Sequence, residues 1–123
     1  MMMTHKALSR LGLAQRAGKL VSGEDGVLKA IRRGQARLVI LAEDASENTR
    51  KKVADKCQSY GIPLLTGFSR QALGSAAGKH ERVMFAITDQ GFADMIAASW
   101  AQLSEVDNIE QRDERKQGKT SRL

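Results

Sequence analysis

Hydrophobic positions follow two different spacings along this chain, and the two alternate. In HKALSRLGLAQRAG, residues 5–18, Leu8, Leu11 and Ala14 recur at helical spacing before Gly18. In contrast, RLVILA, residues 37–42, is a continuous apolar run that is typical of a strand buried on both faces. This alternation over residues 1–104 predicts five helices and four strands. We therefore expect an α/β fold, a three-layer α-β-α sandwich with a small, mostly buried four-stranded mixed sheet.

The predicted elements carry expectations about caps and buried side chains. Ser22 is predicted to cap the second helix, with Asp25 three positions later as an acidic variant of the capping box. On the third helix, Val53, Cys57 and Tyr60 are predicted to face the core. The predicted helices are residues 5–18, 23–34, 46–61, 69–78 and 91–103, and the predicted strands are residues 19–22, 37–42, 62–66 and 82–88.

The hydrophobic pattern ends near Ser104. Beyond it, Val106 and Ile109 stand alone among charged residues, and residues 105–123 contain five basic and five acidic side chains. Such a composition is typical of a segment without a core of its own. We predict a folded domain over residues 1–104, followed by a charged, net-neutral tail over residues 105–123 that is disordered or a frayed extension of the last helix.

Charge and cysteine content narrow the class of protein. The tail is neutral, so the net charge of +6 belongs to residues 1–104. A basic folded domain favours a polyanionic partner, although a merely soluble basic protein has the same charge. The single cysteine, Cys57, excludes an internal disulfide, and no apolar run approaches the ~20 residues that cross a bilayer. We expect a cytoplasmic protein with no membrane partner.

Motifs of known enzymes are not matched. GSAAGKH, residues 74–80, has three residues between its glycines, whereas the Walker phosphate loop has four. Neither His5 nor His80 stands in a pattern that suggests a catalytic triad. Cys57 lies on the apolar side of its helix, where a small buried side chain is the common role. We therefore expect no catalytic residue, no metal, no cofactor and no small-molecule substrate.

The segment from Gly23 to Leu38 is basic except at its start. Glu24 and Asp25 precede outward-facing cations, and Lys19 stands just ahead of the helix; the cations on the helix are Lys29, Arg32 and Arg33. Two interpretations are open. The acidic pair complements the helix dipole, at about 0.3–1 kcal/mol per charge. Alternatively, a carboxylate accepts hydrogen bonds from a guanine or cytosine edge while the cations hold phosphates.

A resemblance covers about residues 8–96. LGLAQRAGKLVSGEDGVLKAIRRGQARLVILAEDAS, followed by GIPLL, ALGSAAGK and VMFAITDQGF, resembles the kink-turn-binding family of ribosomal proteins, and most of all its small bacterial members. The resemblance implies an α-β-α sandwich that binds kink-turns, which are bent RNA internal loops with tandem sheared G·A pairs. It also implies a partner of structured RNA, such as ribosomal RNA, and no enzymatic activity.

Two sites follow from this resemblance. The turn into the second helix, which in the family contacts the guanines, maps onto Gly23, Glu24, Asp25, Gly26 and Lys29. The loop that in the family covers unstacked nucleotides maps onto Lys79, His80, Glu81 and Arg82. Better-characterised members carry Asn-Glu where this chain has Asp25-Gly26. Gly26 is interpreted either as close approach of the ligand or as a late start of the helix.

Two other functions are weighed against RNA binding by a ribosomal-type protein. One is a protein-docking module whose contact face carries Lys51, Lys52 and Lys56 on the third helix. The other is a substrate-binding domain related to those of RNA-modifying enzymes. Single-strand binding by base stacking is disfavoured because the chain has only five Phe, Trp and Tyr residues in all.

Overall fold

The structure, a computed structural model, describes the backbone of residues 5–111 and the side chains of residues 5–101. Within these bounds it contains the predicted five helices and four strands in the predicted order. The elements are α1 Lys6–Arg16, β1 Leu20–Ser22, α2 Glu24–Arg32, β2 Leu38–Leu41, α3 Glu47–Tyr60, β3 Leu64–Thr66, α4 Arg70–Ala76, β4 Met84–Ile87 and α5 Gln90–Gln111.

The four strands form one mixed sheet in the order β1-β4-β2-β3. β4 pairs antiparallel with both β1 and β2, whereas β2 and β3 run parallel. Leu20, Ile87 and Leu38 face one another across the first three strands of this order. β2 and β4 are buried at every position, as the continuous apolar runs predicted.

Helices cover both faces of the sheet, so the predicted three-layer sandwich is confirmed. On one face, Leu38, Ile40, Phe85 and Ile87 pack with side chains from α1, α4 and α5. On the other face, the alternate strand residues pack with side chains from α2 and α3; these strand residues are Val39, Leu41, Met84 and Ala86. The alternation follows from the two-residue repeat of side chains along a strand.

Two local predictions are wrong. Ser22 does not cap α2, because it is the last residue of β1, where it pairs with Phe85 of β4; the N-cap is Gly23. Tyr60 is 48% exposed, because it is the last residue of α3, just before the chain turns away at Gly61 in the left-handed conformation. Val53 and Cys57, which lie further inside the same helix, are buried as predicted.

The last helix continues past the predicted end of the domain. α5 extends to Gln111, so the predicted boundary at residue 104 falls inside a helix. The division into a domain and a tail stays a prediction, and residues 112–123 lie outside the described residues. None of the described helices combines the length and apolar character needed to cross a membrane.

Candidate functional site

One edge of the sheet gathers loops from four connections. β1, β2 and β3 end there and β4 begins there, as the pairing of Leu41 with both Met84 and Thr66 requires. The chain segments at this edge, called the upper edge from here on, are residues 23–26, 42–46, 67–70 and 79–83. Because α2, α3 and α4 follow the three strand ends, all three helices begin at the upper edge.

The start of α2 differs from the other helix starts. Gly23, with φ 93°, has no side chain to cap the helix, and its N–H donates to the Met84 carbonyl oxygen at 3.2 Å. No acceptor within residues 5–101 receives a hydrogen bond from the N–H of Glu24, Asp25 or Gly26, so these donors are open. Side chains accept from backbone N–H groups at the four other helix starts, through His5, Ser46, Ser69 and Asp89.

The acidic pair at this start is divided between two environments. Oε2 of Glu24 accepts a hydrogen bond from Nζ of Lys52 on α3, at 2.7 Å. This hydrogen bond and the charge of Glu24 raise the pKa of Lys52 above its usual value of 10.5. Asp25 is exposed and forms no ion pair with the described part of the chain. Glu24 is therefore held by α3, whereas the Asp25 carboxylate is available to a ligand.

Packing explains the glycine at position 26. A Cβ atom on Gly26 would lie 2.8 Å from Cγ1 of Val21 in β1, which is closer than real contacts allow. The helix begins at Glu24, so a late start is not the reason for the glycine. Gly26 lets α2 lie directly over β1, and this close packing sets the position of the helix start relative to the sheet.

The second predicted loop is held against α4. A Cβ atom on Gly74 would coincide with the carbonyl oxygen of His80, so only glycine admits the loop there. The N–H of Lys79 donates to the Gly74 carbonyl at 2.8 Å, and the N–H of Arg82 donates to the Arg70 carbonyl at 3.0 Å. The loop borders an open cleft of about 310 Å³ whose lining residues are Gln71, Ser75, Lys79, His80 and Glu81.

Further contacts tie the upper-edge loops to one another. Oδ1 of Asp44 accepts from the Arg70 N–H at 3.0 Å, and Nη2 of Arg70 donates to the Asp44 carbonyl at 2.6 Å. The N–H of Glu43 donates to the Phe68 carbonyl at 2.8 Å. Through Arg70, which also accepts from Arg82, three separate connections support one another. The upper edge is thus braced by backbone groups together with the side chains of Asp44 and Arg70.

Three of the predicted site residues lie elsewhere. Lys19 precedes β1 and is therefore at the opposite end of the strand from Gly23. Arg32 and Arg33 stand at the other end of α2, which at nine residues is about 13 Å long. The structure thus brings Gly23, Glu24, Asp25 and Gly26 together with residues 79–82, and separates Lys19, Arg32 and Arg33 from them. Lys29 lies between the two groups on the exposed side of α2.

Two charged residues beside these groups were not among the sequence-predicted RNA-site residues. Lys52 joins the upper edge through Glu24, a contact between helices that no spacing in the sequence signals. Arg37 directly precedes the start of β2, and its N–H donates to the Ile87 carbonyl at 2.7 Å. The sequence feature that could have identified Arg37 is its position directly before the buried run of residues 38–41, which places a charge at one end of a central strand.

Within the described residues, neither Cys57 nor a cluster of metal-ligating side chains provides a reactive site. Cys57 is 2% exposed, and burial raises the pKa of its thiol to about 11. The thiol is therefore protonated at neutral pH and is a poor nucleophile. Among the described residues, no three His, Cys, Asp or Glu side chains come together as a metal site would require.

Fold and surface together define a small α-β-α sandwich domain with one braced, loop-built edge beside an uncapped helix start. Residues 5–97 match the model of the Ribosomal protein L7Ae/L30e/S12e/Gadd45 family. The chain belongs to this family, which confirms the predicted family membership.

Bacterial and eukaryotic proteins are both among the relatives of this chain. RNA-binding protein YlxQ of Bacillus subtilis (strain 168) is 57% identical over 86 residues, which are 70% of this chain and 86% of the relative. Large ribosomal subunit protein eL30 of Spodoptera frugiperda is 36% identical over 94 residues, with 72% of this chain and 80% of the relative covered.

Solved structures agree on the architecture. A protein of unknown function from Bacillus halodurans has a TM-score of 0.78 and 50% identity, over 80% of this chain and 99% of that one. A 15.5kD RNA binding protein of Giardia lamblia has a TM-score of 0.69 over 82% of this chain and 87% of that one. At 22% identity, this second likeness concerns the fold alone.

Proposed function

We propose that this protein binds structured RNA without catalysing a reaction, and that its upper edge recognises a kink-turn or a related internal loop with G·A pairs. Family membership and the RNA-binding relative that is 57% identical support RNA as the partner. The observation that carries the proposal is the hydrogen bond from Gly23 to Met84, which seats the start of α2 beside the loop of residues 79–83. One RNA internal loop can touch both.

The start of α2 supplies the groups that guanine recognition needs. Guanine presents acceptors at O6 and N7 and a donor at its amino group. The open N–H groups of residues 24–26 can donate to guanine O6 and N7. The free carboxylate of Asp25 can accept from the guanine amino group. Lys29, one helical turn beyond Asp25, lies where it can pair with a backbone phosphate.

The division of the acidic pair reduces the cost of placing acids beside RNA. A carboxylate about 4 Å from a phosphate costs roughly 1 kcal/mol in water and more at a drier interface. Lys52 lies 2.7 Å from Glu24, so the charge of Glu24 is compensated within the protein. Asp25 is then the one acid of the pair that faces RNA uncompensated, and its hydrogen bonds to a base offset the repulsion.

The loop of residues 79–82 fits the role of a surface over unstacked nucleotides. RNA loops whose bases are splayed out are recognised by shape and by contacts to their exposed edges. The contacts to Gly74 and Arg70 fix the loop backbone before RNA arrives, so little entropy is lost on binding. Exposed His80 and Glu81 leave polar groups on this surface.

Ribosomal RNA is the target class that the relatives favour, because the eukaryotic relative is a large ribosomal subunit protein. Because of this ribosomal relative, we also propose that the protein binds its RNA in the cytoplasm. This part of the proposal is tested by sedimentation of the tagged protein with ribosomal subunits from its own cells, followed by sequencing of the RNA that crosslinks to it.

The direct test compares two RNAs at about 150 mM salt. One contains a kink-turn, and the other differs only in Watson–Crick pairs in place of the tandem G·A pairs. We expect at least a tenfold preference for the first. Equal affinities would leave RNA binding in place and remove the internal-loop specificity. Failure to bind either RNA, or cellular RNA, would contradict the proposed function as a whole.

A further inference from the structure

The edge of the sheet opposite the upper edge carries a cluster of unpaired cations. This lower edge consists of residues 17–19, 33–37, 61–63 and 88–89, and its cations are continued by Arg32 at the end of α2. Within residues 5–101, none of these cationic side chains forms an ion pair or a side-chain hydrogen bond. The four cations are Lys19, Arg32, Arg33 and Arg37, and all are exposed.

Strand register sets the spacing of this cluster. The Lys19 carbonyl accepts from the Thr88 N–H at 3.0 Å, and the Arg37 N–H donates to the Ile87 carbonyl at 2.7 Å. Lys19 and Arg37 therefore flank the end of β4 on its two sides, with their Cα atoms about 10 Å apart across three strands. Arg37 borders a cleft of about 400 Å³ whose other lining residues are Val21, Gly34, Gln35 and Thr88.

The charge of this edge exceeds what the fold needs. Arg32 and Arg33 at the end of α2 complement the helix dipole, but Lys19 and Arg37 stand at strand ends, where no dipole calls for a cation. Asp89 is the acid among the described residues of the edge, and its Oδ2 already accepts from the Phe92 N–H at 2.9 Å. The cluster thus has a net positive charge without a partner in the described chain.

We infer that the lower edge is a second RNA-contact surface, which holds backbone phosphates of the helix that leaves the internal loop bound at the upper edge. This inference rests on the proposed function. Asp25, Lys29 and Arg33 are spaced by four residues on the exposed face of α2, so one continuous path joins the two edges. The path is about the 13 Å length of α2, a distance that one structured RNA spans.

The side chains of the lower edge suit contacts with the RNA backbone and not with the RNA bases. Lys and Arg side chains at the end of the sheet hold phosphates independently of sequence. Gln35 and Thr88 bring an amide and a hydroxyl to the cleft, which suit hydrogen bonds with a ribose 2′-OH. Contacts of this kind add affinity and salt dependence while leaving the discrimination of G·A pairs to the upper edge.

The test removes two lower-edge cations in the full chain, as the double variant Lys19→Ala, Arg37→Ala. Its matched control removes two cations from α3, as Lys51→Ala, Lys56→Ala. Affinity for the kink-turn RNA and for its Watson–Crick counterpart is measured between about 50 and 200 mM salt. For the first variant we expect about tenfold weaker binding at 150 mM, and a slope of log K against log salt reduced by about 1 to 2. The control keeps a slope close to that of the unchanged protein.

Two further readouts separate the possible outcomes. The ratio of affinities for the two RNAs stays the same in the lower-edge variant, and circular dichroism confirms that both variants are folded. Shortening the helix that leaves the internal loop weakens binding of the unchanged protein but not of the variant. If RNA binds and the variant keeps the full salt slope, the inference is overturned while the proposed function stands. If the unchanged protein binds no RNA, both are overturned.

Discussion

The two edges of the sheet are built by opposite means. At the upper edge, separate connections are joined by backbone contacts of Gly74 with His80 and of Arg82 with Arg70, and by the hydrogen bond from the Arg70 N–H to the Asp44 carboxylate. At the lower edge, cations such as Lys19 and Arg37 project from strand ends without a side-chain partner in the described chain. Fixed backbone suits recognition by shape and hydrogen-bond direction, whereas free cations suit attraction to phosphates at any angle.

The two edges also differ in the conformational entropy that binding requires. Holding long cationic side chains in one geometry costs entropy, and an edge that only attracts phosphates does not need that order. An edge that discriminates G·A pairs does need it, because a displaced donor loses its directional hydrogen bond. Under the proposed function, the upper edge meets this need mainly with backbone groups, whose positions the packing of α2 and α4 fixes.

The largest expected effect comes from Gly74→Ala, which would remove the bracing that distinguishes the upper edge from the lower edge. The added Cβ would coincide with the His80 carbonyl, so the loop of residues 79–82 has to leave α4. We expect a loss of about 3 kcal/mol in the free energy of unfolding, since buried backbone must move. Urea denaturation measures the loss. Ser75→Ala, an exposed neighbour on the same helix, should change it by less than about 0.5 kcal/mol. Equal stability of the two variants would show that the loop is not braced.

An intermediate effect, on RNA preference, is expected from substitution of the two acids at the start of α2, Glu24 and Asp25. Asp25→Ala removes the free acceptor, and we expect the preference for the kink-turn RNA over its Watson–Crick counterpart to fall by about tenfold. Glu24→Ala removes the carboxylate that Lys52 engages, serves as the matched comparison and should change the preference less. Titration of both RNAs measures the two preferences. A larger effect from Glu24→Ala would assign the base contact to Glu24.

The smallest expected effect concerns the ion pair between Glu24 and Lys52. Its hydrogen bond raises the pKa of Lys52 above 10.5, so the contribution of the pair to stability is complete below about pH 10 and is lost as pH rises through the raised pKa. Lys52→Met should therefore lower the urea midpoint slightly at pH 8, with the difference from the unchanged protein disappearing as pH rises through the raised pKa of Lys52. A difference that persists at high pH would mean that the methylene groups of Lys52, and not its charge, stabilise α2 against α3.

Local sequence pattern was sufficient for the architecture but not for the grouping of the site. The runs at residues 38–41 and 84–87 are apolar throughout, which marks central strands without any tertiary information. The expected cap at Ser22 was overridden by pairing with β4, a contact more than 60 positions away along the chain. Cap residues compete with strand pairing, and the sequence around Ser22 does not reveal the outcome.

The same limit applies to Lys19 and the glycines. Lys19 looks adjacent to the start of α2 in sequence, but three extended residues carry the chain to the other end of the sheet. Gly26 and Gly74 owe their identity to Val21 and to the His80 backbone, and neither neighbour is visible in a single sequence. The loop of residues 79–82 was found through the family resemblance, since its own composition has no distinguishing pattern.

The strand order has a consequence for synthesis of the chain. β4 lies between β1 and β2, yet it is the last of the four strands to be made. Among the described strands β1 pairs only with β4, so Leu20–Ser22 emerge from the ribosome long before their strand partner exists. Only after Ile87, and with α5 following, can the sheet close and both layers of helices find their core. The newborn protein must therefore remain open until most of it has been translated, and the proposed RNA surface at the upper edge forms in one late step.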